Sequence, residues 1–180
     1  DQMVFSTIGN LSERSVEKLA QRYFGDFPAT ARSFTRAVPA PCAPFERQVT
    51  KHTHQLHCIV GSRAYGIDDP RRLPLALVTN ILGGPSANSL LNVSLRERHG
   101  LSYNIEASYT PYGDCGIVAI YFSSDHANAG RCLELLDAEI DRLRRTPLSS
   151  RRLSMAKKQF VAQLAISMES NEGYMLGAGK

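Results

Sequence analysis

Two residues in the stretch Leu82 to Tyr103, LGGPSANSLLNVSLRERHGLSY, carry groups that can act on a carbonyl. Arg96 is a permanent cation with a planar fork of donors, and Tyr103 is a phenol with one proton to donate. Gly83-Gly84 and Pro85 break one helical pattern, and a second helical run covers Asn88 to Arg98. Gly100 stops that run, and a strand begins at Leu101. A guanidinium and a phenol brought together at a helix-to-strand corner can clamp a carbonyl or a developing oxyanion. The structural alternative is that Arg96 caps the helix C-terminus while Tyr103 packs in the sheet.

Other chemistry is weaker. His52, His54 and His57 cluster in KHTHQLHC. On a strand, His52 and His54 share a face and His57 takes the other. No Glu or Asp beside them completes a catalytic set, and H-x-x-E-H is absent from the chain, so no functional zinc site is expected there. Neither G-x-S-x-G nor G-x-x-x-x-G-K occurs. Glu97 and Glu106 can serve as general bases in principle, but beside Arg98 and on a polar strand face they read as solvent-facing. Arg142, Arg144, Arg145, Arg151 and Arg152 straddle the junction of two helices, and they read as a solvated surface rather than a nucleic-acid site. The four cysteines show no C-x-x-C spacing. Cys58, Cys115 and Cys132 lie in apolar runs and read as small buried residues. No disulfide framework is expected, though one bridge stays open.

These groups need a scaffold, and the chain is long enough for one. It has 180 residues, 43% hydrophobic and 21% charged, with a net charge of +4, which suits an ordinary soluble globular domain, cytoplasmic or periplasmic. No apolar run approaches the ~18–20 residues that a membrane-spanning helix needs. Asp1 leads straight into a strand-like run, so any targeting segment is expected upstream.

In order, Met3 to Ile8 reads as a strand, followed by a helix capped by Ser12 and stopped by Gly25. Pro28 to Pro44, with Pro39 and Pro41, reads as an extended linker. His54 to Gly61 is a strand. Asp69-Pro70 then starts a helix whose Leu73, Leu77 and Ile81 form a buried stripe. Ser102 to Tyr109 alternates, with Tyr103, Ile105, Ala107 and Tyr109 on one face. Ile117 to Phe122 returns as a more central strand, making a hairpin. A helix with Leu133, Leu136, Ile140 and Leu143 follows, and another runs from about Arg151 to Ser167 with Leu153, Ala156, Phe160 and Leu164 inward. The tail after Glu172 reads as the start of a loop. The order β-α, linker, β-α-α-β-β-α-α predicts an α+β fold, an antiparallel sheet with helices on one face.

The run LGGP…NSLLN…LRERHGLSY resembles the second-domain signature of the pitrilysin/insulinase family of zinc peptidases, whose zinc motif is the inverted H-x-x-E-H. The resemblance covers nearly the whole chain, and Leu90 departs from it where relatives often carry Arg. It implies that Arg96 and Tyr103 come from the domain that lacks zinc. They would reach a substrate bound at the other domain's metal and bind the scissile carbonyl or the oxyanion. It further implies no cofactor in this chain, zinc in an N-terminal domain or partner bearing H-x-x-E-H, a peptide substrate, and no activity alone. Some relatives are non-catalytic structural subunits, such as the core proteins of the respiratory bc1 complex.

The resemblance also divides the chain. Residues 1–27 resemble the closing β-α unit of a preceding homologous domain, 28–46 form the proline-rich linker, and 47–180 form the metallopeptidase-like domain, incomplete at its C-terminus. The strand at 3–8 is then expected to dock where a closing strand belongs, within the chain or by a swap in a homodimer.

Overall fold

The structure is a computed structural model, and it describes residues 3–28, 37 and 39–179. Residues 29–36 and 38, within the expected linker, lie outside the described residues. In chain order the elements are α1 (Glu13–Phe24), β1 (Leu56–Ala64), α2 (Arg72–Gly83), a π-helix (Asn92–Arg98), β2 (Ser102–Pro111), β3 (Gly116–Ser124), a 3-10 turn (His126–Asn128), α3 (Ala129–Arg145), α4 (Ser150–Met168) and α5 (Asn171–Ala178). They group into a larger unit, Arg36–Lys157, and a smaller one, Asp1–Thr35 with Lys158–Lys180.

The larger unit is built on a three-stranded antiparallel sheet in the order β1-β3-β2. The apolar run of β3 takes the centre, as its sequence predicts. Helices cover one face, giving the expected α+β architecture. Leu82 of α2, Leu91 and Leu95 at the π-helix, and Cys132 and Leu136 of α3 pack with Ala107, Ile120 and Phe122 of the strands. Burying a side chain such as Phe122, Leu91, Leu95 or Leu136 contributes about 1.5–3 kcal/mol. His57, Ile59, Tyr103 and Glu106 stay exposed beyond this core.

Several boundaries move. β1 begins at Leu56, so His52 and His54 precede it. α2 begins at Arg72, because the Asp69 carboxylate is not its cap. That carboxylate accepts the Arg71 backbone N–H at 2.8 Å and pairs with the Arg71 guanidinium at 2.7 Å. The buried face of α2 is correspondingly rotated. Thr79, Leu82 and Gly83 are buried, while Leu73 is 63% exposed. Gly83 permits this packing, since a Cβ there would stand 2.7 Å from the Ala107 Cβ.

In the smaller unit, Ser12 caps α1 as expected, its hydroxyl accepting the Ser15 N–H. Phe24 packs on Phe5 at 5.4 Å and on Phe27 at 5.7 Å between ring centres. Residues 3–8 form no strand, contrary to expectation, so none of the sheet's strands comes from them. The segment is tied instead by the Ser6 hydroxyl donating to the Met175 carbonyl at 2.6 Å. β propensity without a ladder to join does not make a strand. The tail after Glu172 is helical rather than a loop. Ser170 caps α5 by accepting the Gly173 N–H at 3.3 Å, and that cap outweighs the glycines. Leu164, expected inward, is 48% exposed.

The contact of Gly83 with Ala107 makes a direct test. Gly83→Ala is expected to lower unfolding stability in urea by about 1–3 kcal/mol, because the new methyl must displace β2.

Candidate carbonyl-binding site

The corner begins with the way its helix ends. Gly100 adopts φ +61°, a left-handed conformation that glycine takes without strain. Its N–H donates to the Arg96 carbonyl at 2.9 Å, and the Leu101 N–H donates to the Leu95 carbonyl at 2.8 Å. An α-helical closure of this kind uses bonds one residue tighter. The wider pattern is what the end of a π-helix needs. His99 seals the outside, with Nδ1 2.7 Å from the Ser94 carbonyl. A carbonyl only accepts, so this nitrogen carries the proton.

The Arg96 backbone is thus held in the cap while its side chain is left to solvent. Its one ion pair among the described residues is to Glu97, at 3.7 Å and with both side chains more than half exposed. A pair of that kind adds little stability and yields readily to a ligand. The Arg96 side chain is therefore not spent on capping carbonyls.

Tyr103 departs further from strand alternation. Ser102 pairs with Ser124, and Asn104 pairs with Ser123, so Tyr103 is an extra residue, a β-bulge. The bulge shifts the parity of the strand. Ser102, expected on the polar face, is 5% exposed, and Tyr103, expected with Ile105 and Ala107, is 59% exposed. The Ser102 hydroxyl bridges the irregularity, 2.9 Å from the Asn104 carbonyl and 3.0 Å from the Ser123 carbonyl. The bulge turns the phenol away from the core.

The Tyr103 hydroxyl donates to Asp125 Oδ1 at 3.2 Å. The negative charge of Asp125, then this hydrogen bond, then slight desolvation raise the phenol above its ordinary value of 10.0. Tyr103 is therefore a neutral donor rather than a base. The sign follows: the proton is held more tightly in the folded chain, so the stabilisation is present below the ordinary phenol range and is lost as pH rises through the raised value.

The structure thus leaves Arg96 and Tyr103 exposed on either side of one corner, each engaged with its own acidic partner. No hydrogen bond joins the two. Asp125 was not singled out from the sequence; its only signal there is its position at the exit of β3. On the open sheet face, His57 Nδ1 lies 2.8 Å from the Tyr121 hydroxyl, and Glu106 is the register partner of Tyr121. His52, His54 and His57 do not converge, and no group of three metal-ligating side chains gathers among the described residues. Burial pushes the Cys58 and Cys132 thiols up, which makes them poor nucleophiles. A hollow of about 270 Å³ is lined by Leu90, Arg142, Leu143 and Arg152, so the Leu90 side chain packs rather than reaching solvent.

Comparison with known proteins identifies the family and the fold. A family model described as the peptidase M16 inactive domain matches residues 1–160. The chain belongs to the peptidase M16 family. It falls in the C-terminal domain region of these pitrilysin/insulinase proteins. It is 27% identical over 181 residues to the uncharacterized zinc protease YmxG of Bacillus subtilis, covering 100% of this chain and 43% of that protein. It is 23% identical over 131 residues to cytochrome b-c1 complex subunit 2 of Mus musculus, covering 69% of this chain and 29% of that protein. The crystal structure of a protease from Helicobacter pylori shares the fold, with a TM-score of 0.69 at 16% identity over 93% of this chain and 42% of that one. The M16 chain described here spans less than half the length of each of these relatives. Among its described residues, no helix is long and apolar enough to cross a membrane.

The contact with Asp125 predicts a shift in titration. In Asp125→Asn, Tyr103 is expected to deprotonate at lower pH than in the parent, moving back toward the ordinary phenol range. Tyrosine ring-carbon NMR across alkaline pH checks this.

Proposed function

We propose that this M16 domain supplies the metal-free wall of the peptide-binding chamber of a zinc-dependent endopeptidase. Arg96 and Tyr103 bind the scissile carbonyl and the oxyanion formed from it. The observation that carries the reading is the bulge at Tyr103, which exposes a phenol that alternation would have turned inward. The corner also exposes a guanidinium whose one ion pair among the described residues is weak. Zinc belongs to an H-x-x-E-H domain or partner outside this chain and, when bound, supplies an activated water. This chain's own part is to bind and orient. Arg96 offers a fork of charged donors, and Tyr103 offers one neutral donor that needs no proton transfer. The free edge of β2 beside Tyr103 offers backbone groups to an extended peptide by strand addition.

A second reading is favoured by the similarity to the b-c1 complex subunit and by the apolar Leu90. In it the domain is a non-catalytic partner subunit with the same fold.

The two readings separate by kinetics on the complete protein. Tyr103→Phe is expected to lower kcat/KM for a quenched-fluorescent peptide by about 10²–10³, the range for loss of an oxyanion donor, with little change in melting temperature. An unchanged rate would leave the phenol as surface only. The 180-residue chain by itself is expected to cleave nothing; zinc-dependent hydrolysis by it alone would overturn the proposal.

A further inference from the structure

A phenol has a single proton, so the acceptor that Tyr103 uses decides what else it can bind. Asp125 stands where an N-cap residue would, just before the turn His126–Asn128, with extended backbone at φ −68° and ψ 149°. An aspartate there ordinarily caps with its side chain. Here the carboxylate makes no cap bond; only the backbone carbonyl does so, accepting the Asn128 N–H at 3.0 Å. The carboxylate turns instead to the bulge and accepts a hydrogen bond from the Tyr103 hydroxyl at 3.2 Å.

That bond and a bond to a substrate carbonyl exclude each other, because each needs the same hydrogen. Once the proton swings to a carbonyl, the phenol lone pairs are left beside a carboxylate. The same negative charge opposes an oxyanion forming next to Tyr103. We propose that Asp125 is a positioning residue that holds the Tyr103 hydroxyl in a resting state, as a competing acceptor that a substrate carbonyl must displace. This rests on the reading of Tyr103 as the carbonyl donor. It adds a residue that sets how readily the donor is released. The contact is solvent-exposed, so a bound peptide that excludes water can displace it.

The test uses the complete zinc-bearing protein and one quenched-fluorescent peptide. Asp125→Asn removes the charge and leaves an amide oxygen as a weaker acceptor, so the phenol proton is released more readily. KM is expected to fall about five-fold, the scale of one net hydrogen bond, with kcat unchanged or raised. Asp125→Glu keeps the charge and is expected to retain the parent KM. In a Tyr103→Phe background, Asp125→Asn is expected to leave KM unchanged, since no phenol proton is then held. If Tyr103→Phe impairs turnover but Asp125→Asn leaves KM unchanged or raises it, the role of Asp125 is refuted while that of Tyr103 stands. An equal fall in KM in the Tyr103→Phe background would refute it as well. If Tyr103→Phe has no effect, the underlying reading of Tyr103 fails instead. Melting temperatures of all variants separate these outcomes from misfolding.

Discussion

The left-handed turn at Gly100 is the constraint on which the corner depends. With φ at +61°, the chain leaves the π-helix and enters β2 with three residues between them, while the Leu95 and Arg96 carbonyls remain bonded. No side chain crowds this position, so the requirement is conformational rather than steric. The residues on either side inherit their positions from it. Leu95 goes into the core, Arg96 goes to solvent one residue later, and Leu101 is drawn back under the helix end.

The bulge is the second device, and it acts on the other half of the pair. A regular β2 would bury Tyr103 against the helices along with Ile105 and Ala107. Inserting one residue costs a ladder bond, but Ser102 restores polar contacts across the gap through its hydroxyl. The close approach of Gly83 to Ala107 supports the same strand from behind. A rigid sheet thus carries one irregular residue, and that residue bears the phenol. The exposed donor is a consequence of local register, not of a loose loop.

Kinship to a zinc protease and to a respiratory-complex subunit is compatible with one scaffold serving both kinds of protein. The helices, the sheet order and the glycine corner are packing requirements and are indifferent to chemistry. The Arg96 and Tyr103 side chains lie outside that packing. Among the described residues each is held only by an exposed acidic neighbour, Glu97 or Asp125, so either could change with little effect on the fold.

Much of the fold was legible in the residues themselves. The apolar run of β3, the hairpin, the Gly100 stop and the Ser12 cap are local signals, and local signals suffice where one interaction decides an outcome. The family was legible for the same reason, since its signature is a continuous run. Tertiary structure decided what depends on partners distant in sequence. The strand-like Met3 to Ile8 found no ladder. The face of α2 rotated until Gly83 met Ala107. Tyr103 changed sides because Ser102 and Asn104 pair with consecutive residues of β3. Alternation can be read along one strand, but a bulge exists only between two, so the amino-acid sequence determined that a phenol sits at this corner and the paired strands decided which way it faces.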